Sequence, residues 1–299
     1  MIRTLLGILA LLIAAFGLWF FLVPGPDKLS QLDGLAGGGR GAEQAASGIA
    51  FGTHGQRLDV WRPAGATNGP RPVIVFFYGG GWHDGTRQGY AFAGRALAAQ
   101  GFVVVIPDYR KVPAVRFPAF VADAAEAVRW ARDHARDYGG DPARIALMGH
   151  SAGAHIAALL ALDSRYLIAT CADPHVVKAV VGLSGPYDFY PFTTDNAKAA
   201  FGAYPDPRET QPISYARADA PPMLLVTSTA DTTVKPRNSI ALRDRLHALG
   251  APVAFRDYPG LSHEGVVMAL SKPFRGTAPV LADSVAFLNA RLDGAAAAK

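Results

Sequence analysis

The sequence predicts an α/β protein: a mostly parallel central sheet with helices on both faces, preceded by one N-terminal transmembrane helix. Three observations carry this. Short continuous apolar runs recur at residues 73–77, 102–106, 145–148, 176–181, 223–226 and 253–255. Stretches with helical spacing separate them, at about 87–100, 118–137, 152–162, 236–249 and 278–292. Strands that are apolar throughout and alternate with helices belong to a parallel sheet buried on both faces. The third observation is that residues 4–23 carry no charge at all.

At 1.5 Å per residue those N-terminal residues make a helix about 30 Å long, the thickness of a bilayer's hydrocarbon core. Arg3 and the amino terminus lie before the run, whereas Asp27 and Lys28 cancel after it. Positive charge on the N-terminal side predicts a cytoplasmic N-terminus and an exported remainder, periplasmic or extracytoplasmic in a bacterium. The competing reading is a cleaved signal and a secreted protein. A signal core is 7–15 residues followed closely by a small-x-small site, and here the nearest such site, Gly34-Leu35-Ala36, is far downstream. Residues 1–23 are therefore read as an anchor that makes the bilayer a partner through residues 4–23. Residues 24–48 carry PGP, GGGRG and AEQAASG and read as a flexible linker. The domain is expected at 49–293, opening with an antiparallel hairpin over 49–62, and 294–299 as a frayed tail.

Composition removes several classes of function. Hydrophobic residues make up 50% and charged residues 18%, which excludes disorder over most of the chain. The 29 basic and 24 acidic residues are interspersed, so the net charge of +5 forms no stripe suited to nucleic acid. The single cysteine, Cys171, allows no intrachain disulfide and no cysteine-rich metal site. The reading calls for no metal and no cofactor.

The chemistry is concentrated in the loops that follow the strands, where ligands of parallel sheets bind. Residues 145–148 run into Gly149-His150-Ser151-Ala152-Gly153 and then into the helical AHIAALLAL. This G-x-S-x-G on a strand–turn–helix would project Ser151 from a strained bend, with flanking glycines letting strand and helix approach. A serine needs a base within hydrogen-bond reach. Of eight histidines, only His263 follows the last strand, as the order Ser, Asp, His requires. His150 abuts Ser151 but is read as a packing residue. The acid that would orient His263 is Asp231, beyond the penultimate strand, with Asp188 one strand earlier as its rival. After residues 73–77 comes Tyr78-Gly79-Gly80-Gly81-Trp82, where consecutive glycines let backbone N–H groups converge on a developing oxyanion.

These residues, in this order, resemble the α/β-hydrolase superfamily, within its esterase branch of hormone-sensitive-lipase-like and BD-FAE feruloyl-esterase-like enzymes. The likeness covers about residues 50–292 and rests on YGGGW at 78–82, Pro107-Asp108-Tyr109-Arg110, GHSAG at 149–153, Asp231 and His263. It implies the α/β-hydrolase fold and oxyanion donors from the backbone of Gly80, Gly81 and Ala152. It also implies that Asp108-Tyr109-Arg110 buttresses the glycine loop without reacting. The common glycine motif begins with His, where this chain has Tyr78, so the bracing of that loop must differ. A cap-like insertion is expected over 184–221, and Trp82, Tyr187, Phe189, Tyr190 and Phe192 are candidates to line an acyl or aryl pocket.

The function these readings imply is hydrolysis of small acyl or aryl carboxylic esters through an acyl-enzyme, with a small-molecule ester as substrate. The same residues would serve an amidase, an arylformamidase or a peptidase. A non-catalytic binding module on a hydrolase frame is the alternative of another class, and the presence of Ser, His and Asp together speaks against it.

Overall fold

The computed structural model describes residue 17, residues 22–65 and residues 69–293. The expected span at residues 4–23 lies outside the described residues, apart from Gly17, Leu22 and Val23, and so does the tail at 294–299. Among the described residues no helix is long and apolar enough to cross a membrane.

Eight strands form one sheet in the order β1-β2-β4-β3-β5-β6-β7-β8. They are β1 (Ala42–Phe51), β2 (Gln56–Pro63), β3 (Arg71–Phe77), β4 (Val103–Pro107), β5 (Gly140–His150), β6 (Val177–Leu183), β7 (Met223–Thr227) and β8 (Val253–Asp257). The pairs β1/β2 and β2/β4 are antiparallel, and every other neighbouring pair is parallel. The helices are α1 (Gly25–Leu35), α2 (Ala91–Ala98), α3 (Ala119–His134), α4 (Ala152–Leu162), α5 (Arg165–Ala169), α6 (Asp195–Phe201), α7 (Arg237–Ala248), α8 (His263–Met268) and α9 (Val280–Leu292). On one side of the sheet α3 packs with α4 and α5; on the other α2 packs with α1 and α9. Residues 73–77, 145–148 and 179–181 are fully buried, as their unbroken apolar sequence requires.

Register gathers the functional loops. Phe77 lies opposite Gly149, His150 opposite Leu183, Leu183 opposite Val226 and Thr227 opposite Asp257. The carboxyl ends of β3, β5, β6, β7 and β8 thus finish at one edge of the sheet.

The flexible linker expected at residues 24–48 is corrected. Residues 25–35 form α1, and β1 begins at Ala42, so the N-terminal hairpin is longer than 49–62. Helix α1 escapes hydrophobic periodicity because its dock is polar. Leu29, Ser30 and Asp33 are its buried residues. Ser30 Oγ donates to the Gly89 carbonyl at 2.8 Å and accepts the Phe92 N–H at 3.2 Å. Asp33, with a side chain 1% exposed, accepts from Arg95 Nε and from the Lys272 N–H, each at 2.7 Å.

Removing one partner of a buried ion pair leaves the other charge desolvated and unpaired, which costs about 3–5 kcal/mol. Asp33→Ala should therefore lower the melting temperature by roughly 6–20 °C, at about 2–4 °C per kcal/mol for a domain of this size. Asp219→Ala, at an exposed pair with Arg217, should leave it nearly unchanged. Thermal melts followed by circular dichroism make the comparison, and equal shifts would show that α1 is a surface ornament.

Candidate active site

Ser151 sits at the junction of β5 and α4 with φ 53° and ψ −122°, a backbone conformation that costs a non-glycine residue of order 1–3 kcal/mol. Close packing enforces it. A Cβ on Gly153 would overlap the Phe77 carbonyl, so only glycine lets α4 press onto β3 at this point. The Ser151 N–H donates to the Leu183 carbonyl at 2.8 Å, tying the bend to β6.

His263 opens α8, where Ser262 caps the helix by accepting the Gly265 N–H at 3.0 Å. Its Nδ1 lies 2.8 Å from Asp231 Oδ2, and its Nε2 lies 2.8 Å from Ser151 Oγ. A carboxylate can only accept, so Nδ1 carries the proton and Nε2 is free to accept the Ser151 hydroxyl. Asp231 Oδ1 accepts the N–H groups of Thr233 and Val234 at 3.0 and 2.9 Å. Burial alone would raise the Asp231 pKa, but the hydrogen bonds and charge of His263 outweigh it and hold the carboxyl below the usual carboxylate range. Asp188 is exposed, and its own N–H is bonded to Asn238; it does not take part in this chain of bonds.

His150, expected to pack, also makes a polar contact to the loop that carries His263. Its Nε2 donates to the main-chain carbonyl of His263 at 3.1 Å, and its Nδ1 lies 3.3 Å from the Tyr90 hydroxyl. The two imidazoles lie with centroids 4.8 Å apart. Burial, aided by the nearby His263, pushes the His150 pKa down to about 3, so it stays a neutral donor. The strand–turn–helix motif carried no hint of this, because the partner lies more than a hundred residues downstream.

The glycine loop is braced through Tyr78. Its hydroxyl donates to Asp108 at 2.9 Å and accepts from Lys111 at 3.0 Å, while the Tyr109 hydroxyl donates to the Tyr78 carbonyl at 2.9 Å. Arg87 joins Asp59 to Asp108 beneath the loop. Asp108 and Tyr109 thus support the loop as expected by resemblance, whereas Arg110 does not: it pairs with Asp123 on α3. Gly80 has φ 126°, and both Gly80 and Gly81 border the cavity beside Ser151. Ala152 is the first residue of α4, where a helix N–H has no partner within the helix.

The cavity at these loops measures about 790 Å³. Trp82 and Phe189 form an aromatic wall, stacked at 5.7 Å, and Thr232, Thr233, Lys235 and Arg237 also line the cavity. Three expected pocket residues are corrected. Tyr187 is fully buried, with its ring filling the space beside Gly182 and Gly185, and Tyr190 is 53% exposed; neither lines the cavity. Phe192 does not line it either, but packs behind Phe189 at 5.6 Å. The segment over 184–221, which includes α6, is held to the body by Trp82, His155, Phe189 and Phe201, whose rings lie 4.7–5.7 Å apart.

The BD-FAE family profile matches residues 58–246, more than half of the chain. The chain belongs to the BD-FAE family. The fold is of the α/β-hydrolase kind, with its mostly parallel sheet. This BD-FAE chain is 34% identical over 228 residues to the esterase LipC of Mycobacterium tuberculosis, covering 70% of this chain and 56% of that protein. It is 30% identical to the isoprenylcysteine alpha-carbonyl methylesterase ICME of Arabidopsis thaliana, covering 82% and 62%. The chain thus spans between about half and two thirds of the length of these relatives. Among solved structures it resembles a propionate-bound thermophilic esterase of Thermogutta terrifontis. That match has a TM-score of 0.67 and 26% identity, and covers 83% of this chain and 93% of that one.

The site's histidines predict a pH dependence. Burial pushes His155 down to about 4 as well. An unfolded histidine titrates near 6.5, so from about pH 6.5 towards pH 4 the unfolded chain binds protons at two positions where the folded chain refuses them. Stability present above this window is lost as pH falls, at up to about 2.7 kcal/mol per pH unit for the pair. His155→Gln should remove about half of that slope, measured by urea unfolding at a series of pH values. Unchanged slopes would mean that His155 is protonated in the fold.

Proposed function

We propose that this chain is a serine carboxylic ester hydrolase, tethered to a membrane by residues 4–23 and working through an acyl-enzyme. The observation that carries the chemistry is the continuous hydrogen-bonded chain Ser151–His263–Asp231, opening into a cavity with an aromatic wall. The esterase relatives support the same reading.

In this mechanism Ser151 Oγ attacks the ester carbonyl carbon while its proton passes to His263 Nε2. Asp231 keeps the imidazole in the tautomer with a free Nε2 and stabilises the imidazolium that forms. The carbonyl oxygen becomes an oxyanion, received by the backbone N–H groups of Gly80, Gly81 and Ala152. As the tetrahedral intermediate collapses, the bond to the alcohol breaks and the alcohol leaves with the proton from His263. Water then gives a proton to His263 and attacks the acyl-enzyme, and Ser151 regains its proton as the carboxylic acid departs. The Trp82 and Phe189 wall suits an apolar acyl or aryl group. Retention of the tether fits α1: cleavage after Ala36 would strip the buried Leu29, Ser30 and Asp33 from the domain.

Ser151→Ala should abolish turnover of a chromogenic acetate ester while the melt is retained. Asp231→Asn should lower kcat by up to about 10⁴, because the wrong tautomer then faces Ser151, whereas Asp188→Asn should stay close to the parent. Steady-state rates on the three variants test the reading, and Asp188→Asn proving the more damaging would assign the acid one strand earlier.

A further inference from the structure

The N-terminal helix contributes to the wall of the cavity. Pro26, in the first turn of α1, lines the same cavity as Ser151 and His263. The charge-free run ends at Val23, three residues earlier, and three residues of chain reach at most about 10 Å. The headgroup zone on each side of a bilayer is roughly 5–8 Å deep. A span ending at Val23 therefore brings the Pro26 edge of the cavity to the headgroup zone, unless the chain between them can swing.

The docking of α1 prevents that swing on the domain side. Ser30 and Asp33 bind Gly89, Phe92, Arg95 and Lys272, and Arg95 also donates to the Ser30 carbonyl at 2.6 Å. Pro24 and Pro26, flanking Gly25, leave little slack between Val23 and the first helical turn.

The exposed surface agrees. Six large hydrophobic side chains are exposed among the described residues, and three of them, Leu22, Leu32 and Leu35, lie on α1 or just before it. A fourth, Tyr190, sits on the cap with its ring 5.4 Å from Phe192. Lys235, Arg237 and Glu264 on the cavity rim have mixed signs, so the surface needs no anionic lipid.

We propose that α1 is a stiff coupler that holds the mouth of the cavity against the bilayer containing residues 4–23, so that the site takes esters dissolved in that bilayer. The ester substrate class rests on the function proposed above. The position of the mouth rests only on the tether proposed there and not on the chemistry, and it can be measured without turnover.

The full chain is prepared in two labelled forms, one with a fluorophore on native Cys171, which is exposed ahead of β6 at the opposite edge of the sheet. The other carries the fluorophore at Thr232→Cys in a Cys171→Ser background, with Lys235→Cys as a second mouth position should the first not fold. Each is reconstituted into phosphatidylcholine vesicles with and without headgroup spin-labelled lipid. The expected result is flotation with the vesicles, and quenching at the mouth position at least twice that at Cys171. Equal quenching at the two edges, no quenching at the mouth, or failure to float would overturn the proposal. If quenching is as expected while Ser151→Ala leaves turnover intact, the bilayer placement stands and the ester chemistry falls.

Discussion

The geometry of this protein depends on how closely α4 can press against the end of β3. Only because position 153 has no side chain can the helix approach the Phe77 carbonyl, and only then is the chain forced through Ser151 at φ 53°. The strain of this one residue is offset by the surroundings: the Ser151 N–H binds Leu183, and the strands on either side are buried and in register. With the hydroxyl fixed, the loops after β7 and β8 need only supply a carboxylate and an imidazole in the right order. A looser bend would leave the same residues near one another without a shared line of hydrogen bonds.

His263 is held from three directions. Asp231 fixes the imidazole from Nδ1, the Ser151 hydroxyl donates to Nε2, and His150 grips the main chain of His263 from behind. The last of these works because burial keeps His150 neutral, with one nitrogen as donor and the other facing Tyr90. Tyr90 immediately precedes α2, the helix on which α1 docks. The N-terminal helix and the loop carrying His263 are thus neighbours in the same polar framework, which also includes the bond from Lys272 to Asp33.

Much of this was legible in the sequence because its signals are local. The β5–turn–α4 motif, the continuous apolar strands and the position of His263 after the last strand each depend on residues close together in the chain. Helix α1 reads as a linker in sequence because it buries Ser30 and Asp33 and offers no apolar stripe; its stability comes from partners 59 to 239 residues away. The segment over 184–221 stands out as aromatic, yet composition cannot separate Phe189 on the wall from Tyr187 inside the body or Tyr190 in solvent. Arg110 was expected against the glycine loop, but its guanidinium turns to the nearer buried carboxylate of Asp123. The role of Tyr78 could be posed from sequence only as a question, and Asp108, Lys111 and Tyr109 answer it.

The account stands or falls on whether Ser151 becomes covalently acylated with help from His263. Its most direct test is to mix the protein with a chromogenic acetate ester, quench in acid within the first turnover, and locate any acetyl group by peptide mass spectrometry. The account predicts one acetyl group on the peptide containing Ser151, and none when His263 is replaced by alanine. Rapid hydrolysis with no adduct at Ser151, or an adduct that forms equally well without His263, would contradict it.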